Sequence, residues 1–185
     1  MTIKTNKTNK TDSIDKKYIK VTQIEHVLLK PSMYLGDTSL RKEEVYVIDN
    51  DKIIKKEITW SPAFYKIFDE TIVNVYDQTI RDNTLTRIDI KLDSKYIEIS
   101  NNGIGIDVVL HSIHNIYIPE LIFGNLMSST NFSIEDKRIT GGTNGLGAKL
   151  TNIFSKKFTI IIKDIKRKLI YTQTFKDNLN IIVLP

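Results

Sequence analysis

Alternation of apolar and polar positions predicts the first elements of the chain. Within residues 22–30 the apolar side chains recur at helical spacing after a polar cap, which predicts a short amphipathic helix that stops at Pro31. Apolar residues also alternate in 45–48 and in 52–58, on either side of an Asp-Asn-Asp triplet at 49–51. Because that triplet is rich in turn-forming residues, the two segments are predicted to form a β-hairpin.

A long central helix is predicted next. Ser61 is a good N-cap, Pro62 suits the first helical position, and neither glycine nor proline follows before about Ile80. The later predicted elements are strands over 86–92 and 96–100, a helical region around 107–127, a helix of about 145–155, and strands over 157–163, 168–175 and 179–184. This order predicts an α+β sandwich with helices on one face of a mixed, largely antiparallel sheet.

One face of the central helix carries three polar residues, Glu70, Asn74 and Asp77. Their spacing places them within about 60° of one another around the helix axis. Taken alone, such a stripe suits a solvated face as well as a binding site. The other face is apolar and is expected to pack on the core through Phe64, Phe68, Ile72, Val75 and Tyr76.

Composition fits one globular domain with a polar tail. The 185 residues are 41% hydrophobic and 26% charged, and no apolar run reaches the roughly 20 residues of a membrane helix. Cysteine is missing, which excludes disulfides and thiolate sites. Residues 1–17 are rich in Thr, Asn and Lys and predict a disordered tail, and the first 20 residues carry most of the net charge of +5. We therefore expect a soluble intracellular chain whose body is nearly neutral, with no charge signal for DNA.

Six of the eight glycines fall in two loops, with Gly103 and Gly105 in the first and Gly141, Gly142, Gly145 and Gly147 in the second. Glycine lets a backbone approach a ligand closely, and a Gly-rich loop that opens a helix presents free N–H groups to an anion. The second loop ends at Lys149 and is predicted to bind phosphate, with a flexible lid or a tight turn as the alternative. It matches neither a P-loop nor a dinucleotide fingerprint, so a different nucleotide fold is expected.

Three motifs in a fixed order resemble the GHKL ATPase superfamily. They are a Glu-x-x-x-Asn helix beginning at Glu70, the run Asn101-Asn102-Gly-Ile-Gly-Ile106 after a strand, and the second Gly-rich loop. Within that superfamily, residues 22–31, 65–70, 117–124 and 140–152 look like the eukaryotic and viral type IIA DNA topoisomerases. The resemblance covers 18–185 and implies a GHKL (Bergerat) ATPase domain, with 18–40 as an N-terminal arm at a dimer contact.

The resemblance also implies roles for single residues. Glu70 is expected to be the general base for the water that attacks the γ-phosphate of ATP, and Asn74 an oxygen ligand of Mg²⁺. Asn101 stands where most relatives have an Asp that accepts a hydrogen bond from adenine, and Ile106 belongs to the base pocket. The other residues expected to contact the nucleotide are Tyr18, Asp77, Gly103, Gly105, Ser129, Thr130, Asn131, Gly142, Asn144, Gly145, Leu146, Gly147, Ala148 and Lys149.

In a whole enzyme of this kind, the implied cycle is ATP-driven closure of an N-terminal dimer gate, coupled to passage of one DNA duplex through a break in another. Tyr18 is expected to reach the partner subunit's site, so that ATP favours the homodimer. DNA is expected to be bound by a transducer and a cleavage domain that the chain lacks, and no membrane is involved. The implied location is the nucleus for a eukaryotic source, or host cytoplasm or virion for a viral one.

Two positions depart from the usual pattern of the family. Thr143 replaces an Arg, which removes one phosphate contact, and Gln78 replaces an Asn. Two alternative functions stay open: a GHKL protein of another class, such as a mismatch-repair ATPase or a chaperone, and a remnant that binds nucleotide without hydrolysing it. The histidines His26, His111 and His114 have no metal-ligand pattern and are expected to be structural.

Overall fold

The computed structural model describes residues 17–126, 128 and 145–185. Helix α1 (Gln23–Leu29) begins where the Thr22 hydroxyl accepts the N–H of Glu25, whose carboxylate in turn accepts the Thr22 N–H. Helix α2 (Pro31–Leu35) follows at once. The first helix therefore ends before Pro31, as predicted, and Pro31 also begins the second helix. Proline suits the first helical position because the N–H that it lacks would have no partner there.

The predicted hairpin is confirmed and is longer than expected. Strands β1 (Arg41–Asp49) and β2 (Lys52–Trp60) pair antiparallel along their whole length. The two turn residues, Asn50 and Asp51, have φ values of 49° and 60°. Such a turn matches the right-handed twist of the strands, and Asn and Asp tolerate its positive φ values.

Helix α3 (Pro62–Arg81) confirms the predicted central helix, and the Ser61 hydroxyl accepts the Phe64 N–H at its start. The prediction of its core face is wrong at both ends, since Phe64 is 65% exposed and Tyr76 is 61% exposed. Instead Ala63 and Asp77 are buried. The reason is that α3 lies against two helices, α2 and a later helix, so its side of small and polar residues faces inward.

Five further strands form two antiparallel sheets. Strand β3 (Ile88–Leu92) pairs with β4 (Ile97–Asn101). Strands β5 (Lys157–Asp164), β6 (Leu169–Lys176) and β7 (Ile181–Ile182) lie side by side in that order. The strand predicted over 179–184 shrinks to two residues, because Asp177, Asn178 and Leu179 all have positive φ and turn the chain, and Leu179 enters the core.

The helical region predicted around 107–127 is mostly wrong. Over 107–126, the described part of that region, only helix α4 (Ile118–Gly124) forms. Before it the chain makes a bridge between Leu110 and Tyr117, and the Asp164 carboxylate accepts the Val108 N–H at 3.0 Å, which holds this stretch in a non-helical path. Helix α5 (Gly147–Ile153) is shorter than the predicted 145–155.

The core lies where the helices cover one face of β5 and β6. Val27, Ile153 and Phe175 are 0–1% exposed and belong to one cluster of buried side chains from α1, α2, α3, α5 and the two strands. A Cβ at Gly124 would lie 2.8 Å from the Phe175 ring, so the glycine lets α4 approach the sheet. The α+β class is therefore confirmed. Among the described residues, no helix is long and apolar enough to cross a membrane.

Candidate functional site

Contact between helices α3 and α5 brings Gly147 next to Glu70 and Asn74, which lie far from it in the sequence. A Cβ at Gly147, the first residue of α5, would overlap the Glu70 carboxylate and would lie 3.1 Å from the Asn74 amide nitrogen. Only glycine at this position lets the start of α5 lie directly on the Glu70 and Asn74 side chains. The end of the Gly-rich loop, the expected base and the expected Mg²⁺ ligand are thus neighbours.

The Glu70 carboxylate has one oxygen in an ion pair and the other beside α5. Its Oε1 is 2.9 Å from the Lys66 Nζ, which is also 2.9 Å from the Asp69 carboxylate, and its Oε2 is the oxygen nearest the Cβ position of Gly147. These bonds, first to Glu70 and then to Asp69, raise the pKa of Lys66 above its usual value. Lys66 therefore stays charged and holds one oxygen of Glu70, so that the other oxygen faces α5.

The Asn74 amide has a defined orientation. Its Nδ2 donates to the Glu70 backbone carbonyl at 2.7 Å, so its Oδ1 points away from that carbonyl. Asn74 is exposed, whereas Asp77, one turn later, is only 5% exposed. Asn74 thus offers a neutral oxygen to solvent beside Glu70, the kind of ligand that hard cations accept.

Lys149 is a buried cation, with only 2% of the residue exposed. Its Nζ donates to the backbone carbonyls of Ser128 and Gly145, and no carboxylate lies within ion-pair distance among the described residues. Burial lowers the pKa of Lys149 to about 8. A desolvated ammonium held only by carbonyl dipoles would be stabilised by an anion, which fits the predicted phosphate contact.

The loop after β4 is held by a carboxylate that belongs to none of the sequence motifs, Asp82. Asp82, 4% exposed, accepts the Ile104 N–H at 2.8 Å and both the N–H and the hydroxyl of Thr84. Bonds from the Thr84 hydroxyl and then from the Ile104 N–H keep the pKa of Asp82 below its usual value. A Cβ at Gly103 would lie 2.6 Å from the same carboxylate, which explains the glycine.

The predicted base-binding residues surround this loop. The Asn101 Oδ1 accepts the Gly103 N–H at 3.1 Å and keeps a second lone pair for another donor. Gly105 has a φ of +76°, and Ile106 packs against the core cluster. Asn102 accepts the N–H groups of both Thr86 and Arg87 and so ties the loop to the start of β3.

Solved structures with a similar fold are known. No protein-family model matches the chain. The ATPase region of Saccharomyces cerevisiae topoisomerase II bound to ICRF-187 superposes with a TM-score of 0.88 at 39% identity, over 92% of this chain and 46% of that one. The ATPase and transducer domains of Balamuthia mandrillaris topoisomerase II give 0.87 at 42%, over 92% and 44%. Over nine-tenths of its length, the chain matches the topoisomerase II ATPase region.

Full-length relatives agree with this assignment. A probable DNA topoisomerase 2 of Dictyostelium discoideum is 42% identical over 169 residues, and human DNA topoisomerase 2-alpha is 44% identical over 170 residues. Both alignments use 90% of this chain but span only 11% of the relative. The topoisomerase II resemblance and its GHKL fold are therefore confirmed, for a segment of the ATPase region.

The other residues expected to contact the nucleotide lie before α1, at the start of α5, or outside the described residues. Tyr18 is 74% exposed on the chain that precedes α1, while Leu146 and Ala148 are half-buried at the start of α5. Gly145 has a φ of +60°. Outside the described residues lie Ser129, Thr130, Asn131, Gly142, Thr143 and Asn144. Within the described part, no group of three or more His, Asp or Glu side chains could hold a metal ion.

The supporting residues were missed for different reasons. Lys66 is four residues before Glu70, and the helical i, i+4 rule could have found it. Asp82 and Asn102 carry no such signal toward this loop, because the bonds by which they hold it join residues 15 to 22 positions apart, across a turn and a strand pair. The Ser128 carbonyl carries none either, since any residue supplies a carbonyl.

Proposed function

We propose that this chain binds ATP between α3, α5 and the loop after β4, and hydrolyses it as the ATPase segment of a type II DNA topoisomerase. The contact of Gly147 with Glu70 and Asn74 carries the proposal. It brings a carboxylate, an amide oxygen and a Gly-rich helix start into one place, and the buried ammonium of Lys149 lies in the first turn of the same helix. The ammonium and the helix start suit the phosphate oxygens of a nucleotide, and the amide oxygen suits the cation that accompanies them.

The donor set fits both Mg²⁺ and a polyphosphate. Asn74, whose Nδ2 is already engaged, would offer its Oδ1 to Mg²⁺, which when bound neutralises charge on phosphate oxygens. Lys149 would exchange its carbonyl partners for phosphate oxygens. The backbone of Gly142, Asn144, Gly145, Leu146, Gly147 and Ala148 would supply further N–H donors, and Ser129, Thr130 and Asn131 would contact ribose and phosphate.

Glu70 would take the proton of the attacking water on its Oε2, since Oε1 is held by Lys66. Lys66 acts here as a positioning residue and not as a proton donor, because its raised pKa keeps its own proton in place. At the loop after β4, Asn101 would accept a hydrogen bond from adenine, next to Ile106 and the backbone of Gly103 and Gly105. Asp77 would support the face of α3 that carries Glu70 and Asn74.

At the level of the whole protein we propose an isomerase that uses ATP to close a homodimer gate and pass DNA. The arm of 18–40, with Tyr18 exposed at its start, would reach the partner subunit. Residues 1–17 would form a polar tail, 18–185 the ATPase domain, and DNA would be cleaved by domains beyond this segment. The eukaryotic relatives suggest a nuclear enzyme.

Thermal unfolding with a non-hydrolysable ATP analogue and Mg²⁺ tests nucleotide binding. Analogue at 100 times its dissociation constant should add about 2.7 kcal/mol to the stability of the parent chain. Lys149→Met should lose most of this shift, whereas Lys156→Met, an exposed lysine just beyond α5, should keep it. A parent chain with no shift would contradict the proposal for this segment.

Hydrolysis needs a second measurement. Glu70→Ala should keep the analogue shift and lose ATP turnover in the full-length enzyme. Equal loss of binding and turnover would contradict the role of Glu70 as base. Binding in the parent without any turnover that depends on Glu70 would favour the remnant, which only binds nucleotide.

A further inference from the structure

Positive charge is concentrated on the last two long strands. Residues 150–185 contain seven basic and two acidic side chains, a balance of +5 that equals the net charge of the whole chain. Six of the basic residues are exposed lysines on or beside β5 and β6: Lys156, Lys157, Lys163, Lys166, Lys168 and Lys176. Elsewhere the basic residues 1–20, with a balance of +4, are offset by residues 21–149, with a balance of −4, so the positive charge after the tail belongs to these strands.

Cross-strand ion pairs between lysine and glutamate occur on each of the other two strand pairs, although Lys52 and Lys56 of β2 take no part in them, and in the described part of the chain the six lysines here form none. Lys55 meets Glu44 across β1 and β2, and Lys91 meets Glu98 across β3 and β4. Across β5 and β6 none of the six lysines has a carboxylate within 4.0 Å among the described residues, and the one arginine there is bound to Asp107 and Asp164. The balance of charge seen on the first two hairpins is missing from the third.

Two of these lysines are placed directly opposite each other. Lys157 pairs in register with Lys176, and like charges in such cross-strand positions destabilise a sheet. Next to them Thr159 and Thr174 are also opposite, with their hydroxyl oxygens 3.1 Å apart. The outward face therefore offers ammonium groups and threonine hydroxyls, donors that suit phosphate oxygens, and the exposed Ile161 and Ile170 lie on the same face.

The face is long enough for a duplex. Lys157 and Lys163 point to the same side of β5, and six residues of strand extend about 20 Å. That length covers about six base-pair steps at 3.4 Å each. The core side of the same strands is covered by helices, so the lysine side is the one open to a partner.

We propose that the exposed face of β5 and β6 binds the phosphate backbone of duplex DNA. We define this basic face by Lys157, Lys163 and Lys176, with Lys166 and Lys168 at the adjoining turn. It contributes contacts without base readout, because it is a flat sheet surface and not an element that enters a groove. This binding is separate from the ATP site and does not depend on the proposed hydrolysis.

Salt-dependent binding of a short duplex without nucleotide tests the proposal. The variant Lys157→Gln, Lys163→Gln, Lys176→Gln is compared with Lys52→Gln, Lys56→Gln, Lys95→Gln, which removes the same charge from exposed sites on β2 and beside β4. Residues 1–16 keep their lysines in all proteins, and thermal unfolding checks that both variants fold.

The first variant should bind at least tenfold more weakly at 0.1 M salt. The slope of log K against log salt should also fall by about 2.7, as expected for three lost phosphate contacts. Equal weakening in the control variant would overturn the proposal, because it would reduce the effect to net charge. An unchanged slope in the first variant, or binding to anionic vesicles but not to duplex DNA, would overturn it as well.

Discussion

The two sides of the proposed nucleotide site are built in different ways. On the phosphate side, Glu70 and Asn74 meet Gly147 through contact between α3 and α5, which lie about 80 residues apart in the chain. On the base side, Asn101, Gly103 and Ile104 are held by hydrogen bonds whose partners are within 22 residues. The phosphate side therefore depends on tertiary packing, and the base side on a local network around one carboxylate.

Two ligands can separate these sides. Adenosine would report on the base side alone, and an ATP analogue with Mg²⁺ on both. Variants of the phosphate side should lower analogue affinity toward that of adenosine and leave adenosine binding unchanged. Variants of the base side should weaken both ligands by a similar factor.

The largest effect is expected from Gly147→Ala. The added Cβ overlaps the Glu70 carboxylate, so α5 must move away from α3, at a cost of about 1–3 kcal/mol for overpacking. ATP turnover should disappear and analogue affinity should fall, while adenosine still binds. Denaturant unfolding and calorimetric titration measure both parts.

Gly124→Ala is the matched control for that variant. Its Cβ meets Phe175 and Glu120 and neither Glu70 nor Asn74, so it should cost similar stability but keep analogue binding. If both glycine variants lose binding equally, the effect comes from general destabilisation and the contact of Gly147 has no special role.

Proton uptake at Lys149 is the next prediction. Burial lowers its pKa to about 8 from an unfolded value of about 10.4, so between these values the folded state binds fewer protons and is stabilised as pH rises. A bound phosphate stabilises the charged ammonium form and therefore raises the pKa of Lys149 again. Analogue binding at pH 8.5–9 should then take up a proton, seen as a calorimetric enthalpy that varies with the buffer's ionisation enthalpy. Lys149→Met should abolish the uptake and Lys156→Met should not.

Asp82 should produce a smaller effect on the base side. Its pKa is lowered in the folded state, so its stabilisation is complete above the unfolded pKa of about 3.9 and is lost as pH falls through the lower folded value. Asp82→Asn should weaken adenosine and the analogue alike and flatten the fall in stability below pH 4. Asp164 also has a lowered pKa, and Asp164→Asn should flatten that fall without changing adenosine affinity.

The sequence predicts local features better than contacts between elements. Caps, turn residues and strand alternation correctly predicted α1, α3 and the β1–β2 hairpin, because each signal lies within a few residues. The buried face of α3 was predicted wrongly at Phe64 and Tyr76, since this helix packs against other helices and not against the sheet. The region of 107–127 failed for a similar reason, as Asp164, more than fifty residues later, accepts the Val108 N–H.

The candidate site shows the same limit. The resemblance supplied Glu70, Asn74 and Gly147 as separate matches, and the structure makes them neighbours. It did not supply Asp82 or the Ser128 carbonyl, because neither belongs to a motif and each acts through a partner that only the fold brings near.

The smallest expected effect tests how firmly α5 is held against α3. The hydroxyl oxygens of Thr71 and Thr151 are 3.0 Å apart, and each is also within reach of the Ile67 carbonyl, at 3.3 and 3.1 Å. The Thr151 hydroxyl also lies 3.3 Å from the Gly147 carbonyl. Because only two hydroxyl protons are available for all these acceptors, the two hydroxyls act as a pair. Removing either one should cost about 0.5–1.5 kcal/mol.

The single variants Thr71→Val and Thr151→Val should each slow ATP turnover a few-fold with little change in adenosine binding, whereas Thr71→Ser and Thr151→Ser should keep near-parental rates. Because the hydroxyls share partners, the double valine variant should lose less than the sum of the single losses. Additive losses would mean that each threonine acts alone. The alignment of α5 with Glu70 would then depend on the Gly147 contact without help from this pair.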